Sequence, residues 1–460
     1  MRPRRRGSEI QFTSLERTVY RRNFGFGVAN GAMLMLGDTL IHPSLVLALF
    51  VSQISSSNLL VGLVPAISTG VWFLPQLFAA AFVQGRERQI PFAVASTIVR
   101  ALAVATLGTI GFVVGDRNPH TLLVAFFICY TVYNLGAGFA NVPMVDVSAR
   151  VVPANKRGFY FGQRSFWGGV LGFMAGFVIQ RILSTGGAFP NNFAVLFFAS
   201  FFVLTLGIYS AAMMVEPKTS VMRARGTLIG QLRDAPRFLG NVEFRHFLTF
   251  RSFLSMAAIA DPFYVLFAKQ ELGAPVSVVG YYIAIIAVSQ FVSNLFWSPL
   301  ADRRGNRLVL QLAALLRMII PVIALALPPL VRWGPIQPHI PGGSPTLYYT
   351  FGAVFALYGV ALSGQNLANM TYVLDIAPDH ERAAYVGLVN TFLGVVAFVP
   401  VIGGTLVDAF GFQFLFLVAF MITLAGVLAS GALHEPRVSG TVNLFSRQMM
   451  IPRSRRLRGG

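Results

Sequence analysis

Long apolar runs separated by short polar breaks fill almost the whole chain. They fall at about 24–52, 58–84, 90–114, 120–149, 158–183 and 191–215. After a polar interval they resume at 246–268, 276–300, 308–328, 347–374, 383–408 and 411–433. A helix needs roughly 20 apolar residues to cross the hydrocarbon core of a bilayer, and every run reaches that length. None alternates residue by residue as membrane-barrel strands do. The pattern predicts an all-α polytopic membrane protein of twelve transmembrane helices, six in each half. The stretch from Phe24 to about Val51 is too long and too glycine-rich for a cleaved signal peptide, so it reads as the first retained helix.

Composition agrees. The 460 residues are 55% hydrophobic and 12% charged, against about a quarter charged in soluble chains. This excludes a soluble enzyme and leaves no room for a sizeable soluble domain. A net charge of +19 would suggest nucleic acid in a soluble protein, but here the cations sit at the ends and in a few loops. Arg2, Arg4, Arg5 and Arg6 open the chain, and Arg453, Arg455, Arg456 and Arg458 close it. With both termini on one side, that side holds 28 Lys and Arg and the other four (Arg117, Arg181, Lys269, Arg332). The positive-inside rule puts both termini in the cytoplasm and the protein in a cell membrane of inner or plasma type. The expected partners are the lipid bilayer and a small-molecule substrate, with no nucleic acid. Cys129 is the chain's one cysteine, so no intrachain disulfide forms.

The interval 216–245, rich in arginine, reads as a cytoplasmic linker. It separates a six-helix bundle at 1–215 from a second at 246–434, and 435–460 is a basic tail. The halves repeat. At an offset of 225, Tyr133 falls on Tyr358, Asn141 on Asn366, Pro153 on Pro378 and Arg157 on Arg382. The same register pairs Tyr160 with Tyr385, Gly162 with Gly387 and Gly169 with Gly394, seven identities over 37 gapless positions. Asp38 matches Asp261 at an offset of 223, and Arg100 matches Arg317 at 217. An even helix number per half makes the two bundles parallel repeats about an axis along the membrane normal.

Between the eighth and ninth helices stands Ser298-Pro-Leu-Ala-Asp302-Arg303-Arg304-Gly305-Asn306-Arg307. With the repeated halves, this resembles the major facilitator superfamily of secondary transporters, whose cytoplasmic loop motif reads G-x-L-a-D-r-x-G-r-r. Ser298 replaces the usual first glycine. The resemblance implies two pseudo-symmetric six-helix bundles, a monomer, and a cytoplasmic latch built on Asp302, Arg303, Arg304, Gly305 and Arg307. The first-half copy, Gln84-Gly-Arg-Glu-Arg88, lacks the D-r-x-G core. Pro400-Val-Ile-Gly-Gly-Thr-Leu-Val-Asp408 is similar to the family's eleventh-helix ending. The glycines of the fifth helix, without a Gly-Pro pair, match half of the drug-antiporter signature.

Intramembrane carboxylates are costly and are normally paired, cavity-facing or titrating. Asp38 and Asp261, at matching points of the first helix of each half, are the proton-coupling or substrate candidates. Asn30 and His42 share a helix face with Asp38 at spacings of 8 and 4. Arg100 and Arg317 either lock two helices within one half or pair with the carboxylate of their own half. The resemblance makes the fourth and tenth helices cavity walls. On these stand Tyr133, Asn134, Asn141, Tyr358, Gln365 and Asn366, candidates for substrate contact or plain interhelical hydrogen bonds. Gln163 and Arg164 on the fifth helix suit an anionic substrate or a structural salt bridge.

No phosphate-binding G-x-x-x-x-G-K-[ST] occurs, no G-x-S-x-G elbow occurs, and the six histidines are scattered. No enzyme, cofactor or metal site is expected. The reading is a secondary transporter of a small organic solute, working by alternating access and coupled to protons through Asp38. A gradient-independent facilitator, a lipid translocator and a non-transporting sensor or assembly partner are the alternatives.

Overall fold

The computed structural model describes residues 14–83, 87–115, 117–153, 156–185, 187–216, 238–332, 344–377 and 382–435. These residues are helical, with no β-strand among them. The spans are α1 (Arg17–Ile54), α2 (58–83), α3 (Ile90–Val114), α4 (Pro119–Val151), α5 (Arg157–Thr185) and α6 (Asn191–Ala212). The second half continues with α7 (Val242–Gln270), α8 (Val278–Arg304), α9 (Asn306–Arg332) and α10 (Pro345–Ile376). The final apolar run, Tyr385–Ser430, is continuous by length but breaks at Gly411, whose φ of 82° and ψ of 175° no α-helix contains. That break separates α11 (385–410) from α12 (412–430) and brings the span number to twelve. The surface-lying helix expected in the linker, the latch start at 84–86 and both basic tails fall outside the described residues.

Two helices carry breaks that matter. α1 stops after Leu40, and Pro43, which has no backbone N–H, opens a five-residue π turn at Pro43–Leu47. The His42 carbonyl accepts from the amides of Val46 at 2.9 Å and Leu47 at 3.1 Å. In α7 a 3-10 turn, Ala257–Ala260, precedes Asp261-Pro262. Each repeat-related carboxylate thus lies within about a turn and a half of a proline-marked irregularity.

The chain packs as two compact units. The first comprises 1–56, 67–227 and 276–284, and the second 57–66, 228–275 and 285–460. Within the first, Phe50 of α1, Phe126 of α4 and Phe193 and Phe197 of α6 form a fully buried aromatic cluster, with ring centroids 5.3–5.4 Å from Phe50. Within the second, Phe267 of α7 packs the same way on Phe351, Phe412 and Phe416. The second unit also holds the start of α2 against α11, where the Asn58 amide donates to the Asp408 carboxylate at 2.7 Å. Large apolar side chains such as Phe296, Val395 and Leu428 are over two-thirds exposed, as expected of faces turned to lipid.

Candidate functional site

In the first unit, α1, α3 and α4 bring three polar side chains together inside an apolar bundle. Asp38 pairs with Arg100, and the Tyr133 hydroxyl donates to the same carboxylate oxygen at 2.7 Å. Arg100 also donates to the Tyr133 oxygen at 2.5 Å and lies over its ring, 4.2 Å from the centroid. Arg100 is buried at 6% exposure, whereas the Asp38 side chain is 53% exposed. The guanidinium is therefore fixed in the protein interior, and the carboxylate faces open space.

That space is a cavity of about 660 Å³ in the first unit, within the usual size range for small-molecule sites. Besides the triad, its wall carries His42, Ser68, Thr97, Tyr130, Asn134 and Asn141. Trp72, Met35, Met144 and Phe161 supply apolar surface, and Arg164 a second guanidinium. The π turns in α1 and in α2 (Ile67–Val71) lie beside it and re-aim His42 and Ser68.

The second unit repeats the triad. Arg317 of α9 pairs with Asp261 of α7, the Tyr358 hydroxyl of α10 donates to that carboxylate at 3.2 Å, and Arg317 lies 4.9 Å from the Tyr358 ring centroid. Here both members are shut in, Asp261 at 10% exposure and Arg317 at 8%. The halves therefore share chemistry but not access.

At the start of the third helix of each half the same device is built twice. In the first unit the Glu216 carboxylate accepts from the backbone amides of Gln89, at 2.7 and 2.9 Å, and of Ile90, at 3.0 Å, capping the start of α3. Arg150 joins Glu216 at 3.4 Å. In the second unit Glu435 accepts from the Arg307 amide at 3.0 Å, capping α9. Gly305, at φ 87°, turns the chain there, and a Cβ would collide with the Glu435 carboxylate. A carboxylate on unsatisfied N–H groups at a helix start is favourable for hydrogen-bonding and dipole reasons alike.

Residues 246–455 match the model of the Major Facilitator Superfamily. The fold resemblance spans nearly the whole chain. The nucleoside transporter NupG superposes with a TM-score of 0.66 at 13% identity, covering 90% of this chain and 99% of that one. A D-xylose-proton symporter gives 0.62 at 14% identity, covering 92% and 98%. A POT family transporter in complex with a thioalcohol-conjugated peptide gives 0.62 at 11% identity, covering 93% and 97%. No curated protein sequence matches the chain. The protein has the major-facilitator fold, and its second half matches the model of that superfamily by sequence.

Within this major-facilitator fold the sequence candidates separate into groups. Asp38, His42, Arg100, Tyr133, Asn134, Asn141 and Arg164 share one cavity. Asn30 does not line it: the side chain is buried and donates to the Gly207 carbonyl at 2.9 Å, tying α1 to α6. Gln163 is also absent from the wall, although its neighbours Arg164 and Ser165 line it. Tyr358 serves Asp261. Gln365 is buried in the second unit, and Asn366 is exposed on α10.

The latch candidates divide. Asp302, Arg303 and Arg304 are exposed, with no side-chain hydrogen bond or ion pair among the described residues. Gly305 and Arg307 meet Glu435, and the neighbouring Asn306 side-chain amide donates to Asp375 at 2.8 Å while its oxygen accepts from the Thr371 hydroxyl at 2.9 Å. Glu216 and Glu435 escaped the sequence reading, yet a signal existed. Glu216-Pro-Lys and Glu435-Pro-Arg end the last helix of each half, a repeated Glu-Pro-basic triplet.

Proposed function

We propose that the protein is a secondary active transporter that moves a small organic solute by alternating access, driven by protons that bind Asp38. Its setting is an inner or plasma membrane, with both termini cytoplasmic and the chain working as a monomer. The observation that carries the coupling assignment is the asymmetry of the first triad: a carboxylate half open to a polar cavity, held by a buried arginine and a tyrosine. Protonating Asp38 removes the negative partner of Arg100 and leaves a buried cation seeking new contacts. A packing that depends on that pair then shifts its balance between two states. The named relative that couples D-xylose to protons supports such chemistry on this fold. A cavity with several convergent polar groups favours transport over the sensor reading, which would suit a collapsed apolar interior. We assign Asp261, Arg317 and Tyr358 a structural part, as the shut counterpart of the coupling triad.

The test uses proteoliposomes loaded with a pH-sensitive dye and a solute panel. A transported solute should carry protons inward in wild type. Asp38→Asn should abolish the proton flux and pH-gradient-driven uptake while sparing solute exchange. An unchanged pH dependence in Asp38→Asn would overturn the coupling assignment.

A further inference from the structure

The cavity is not electrically balanced. Its wall carries two guanidiniums, Arg100 and Arg164, against one carboxylate, Asp38. Arg100 is committed to Asp38, so the excess positive charge resides at Arg164. That side chain has no acidic partner among the described residues. Its contacts are aromatic, with the guanidinium 5.7 Å from the Tyr160 ring centroid and 5.8 Å from that of Phe161. The seat is built by α1: any Cβ at Gly31 would collide with the Arg164 guanidinium, so glycine there lets the cation lie against the helix. A half-buried guanidinium with no carboxylate partner presents a planar fork of donors suited to carboxylate and phosphate oxygens.

Position adds a length. Gly31 and Asp38 are seven residues apart on α1, roughly 10 Å at 1.5 Å per residue. The free cation and the half-open carboxylate therefore mark two ends of one cavity. Leu34, Met35, Trp72, Met144 and Val145 contribute apolar wall.

We propose that the cavity takes an organic monoanion whose carboxylate or phosphate head is held by Arg164 and whose less polar body extends towards Asp38. This rests on the transport reading above and names its substrate class. It also fixes the sense of coupling. With Asp38 ionised the wall has one excess positive charge, and with Asp38 protonated it has two. Proton and anion therefore favour each other's binding, as a symporter requires. A unit charge roughly 10 Å away changes affinity about 2- to 14-fold for an effective dielectric between 80 and 20. The other ionisable groups facing the cavity are His42 on α1 and Tyr130 and Tyr133 on α4. α6, which packs on the other side of α1, carries no charged residue.

The experiment is calorimetric titration of the purified full chain with acetate, benzoate, indole-3-acetate, phenyl phosphate, benzamide and benzylamine. Organic anions should bind, and the neutral and cationic probes should not. Comparing benzoate with phenyl phosphate tells a carboxylate head from a phosphate head. Arg164→Gln should lose anion binding at least tenfold, while Arg164→Lys keeps part of it and controls for folding. Binding should tighten as pH falls in wild type and in His42→Gln, and should be flat and tight in Asp38→Asn. Failure of every anion to bind, or anion affinity unchanged in Arg164→Gln, overturns the proposal. Proton-driven transport of a neutral solute by Arg164→Gln at wild-type rate would also overturn it and leave the coupling assignment standing. Anion binding that needs Arg164, in a protein that moves no protons, would support the anion site while removing the coupling reading.

Discussion

Two triads of one composition occupy matching places in the two halves, and they differ in exposure. Asp38 is 53% exposed beside an Arg100 that is 6% exposed; Asp261 is 10% exposed beside an Arg317 that is 8% exposed. A carboxylate that water reaches can exchange its proton during a cycle. One sealed with its guanidinium and a tyrosine is fixed in place by them, and under the proposed function it acts as a clamp. The difference arises from what surrounds each group. The first triad opens on a cavity shaped by irregular turns in α1 and α2, and the second is enclosed where Asp261 begins a regular helical stretch at Pro262. One chemistry thus occurs twice, in surroundings that differ in access.

The largest effect expected from breaking this comparison is on stability in the second half. Asp261→Asn or Arg317→Met alone leaves an uncompensated buried group and should cost about 3–5 kcal/mol, whereas the paired change Asp261→Leu with Arg317→Met should come close to neutral. Denaturation of the purified protein in detergent reads both. Asp38→Asn should cost less, about 1–3 kcal/mol, because the half-exposed amide still accepts a hydrogen bond and water solvates it. Its main consequence should be loss of proton-driven uptake, which Asp261→Asn, once folded, should retain.

Smaller effects sharpen the picture at the two carboxylate caps. Glu216→Gln and Glu435→Gln each weaken a charged cap on a third helix and should lower stability by about 1–2 kcal/mol. The Glu216 change should cost more, since it also removes the partner of Arg150. Tyr133→Phe and Tyr358→Phe should each lose about 1 kcal/mol, measured in the same unfolding assay. Tyr133→Phe should in addition shift the pH profile of transport, and Tyr358→Phe should not.

Much of this was legible in the sequence. Apolar run lengths gave twelve spans, because a bilayer imposes its thickness on every helix that crosses it. The offsets linking Asp38 to Asp261 and Arg100 to Arg317 identified the members of both triads as repeat-related before any coordinates. Their pairing stayed one of two alternatives, since sequence spacing does not say which way an arginine side chain runs within a bundle. The difference in exposure was invisible for the same reason: both aspartates sit near a proline in similar apolar surroundings. Asn30 shares a helical face with Asp38, yet it turns to α6, because a helix eight residues long from one to the other meets different neighbours along its length. The latch motif was readable as a motif. Its bonding partner Glu435 stands 128 residues from Arg307, and only the repeated Glu-Pro triplet hinted at it.

The central claim is that Asp38, and not Asp261, takes up and releases the proton. Infrared difference spectroscopy across a pH step tests it directly, through the carbonyl stretch that a carboxyl group gains on protonation. The account predicts a band in wild type that disappears in Asp38→Asn and persists in Asp261→Asn. A band that persists in Asp38→Asn and disappears in Asp261→Asn would contradict it.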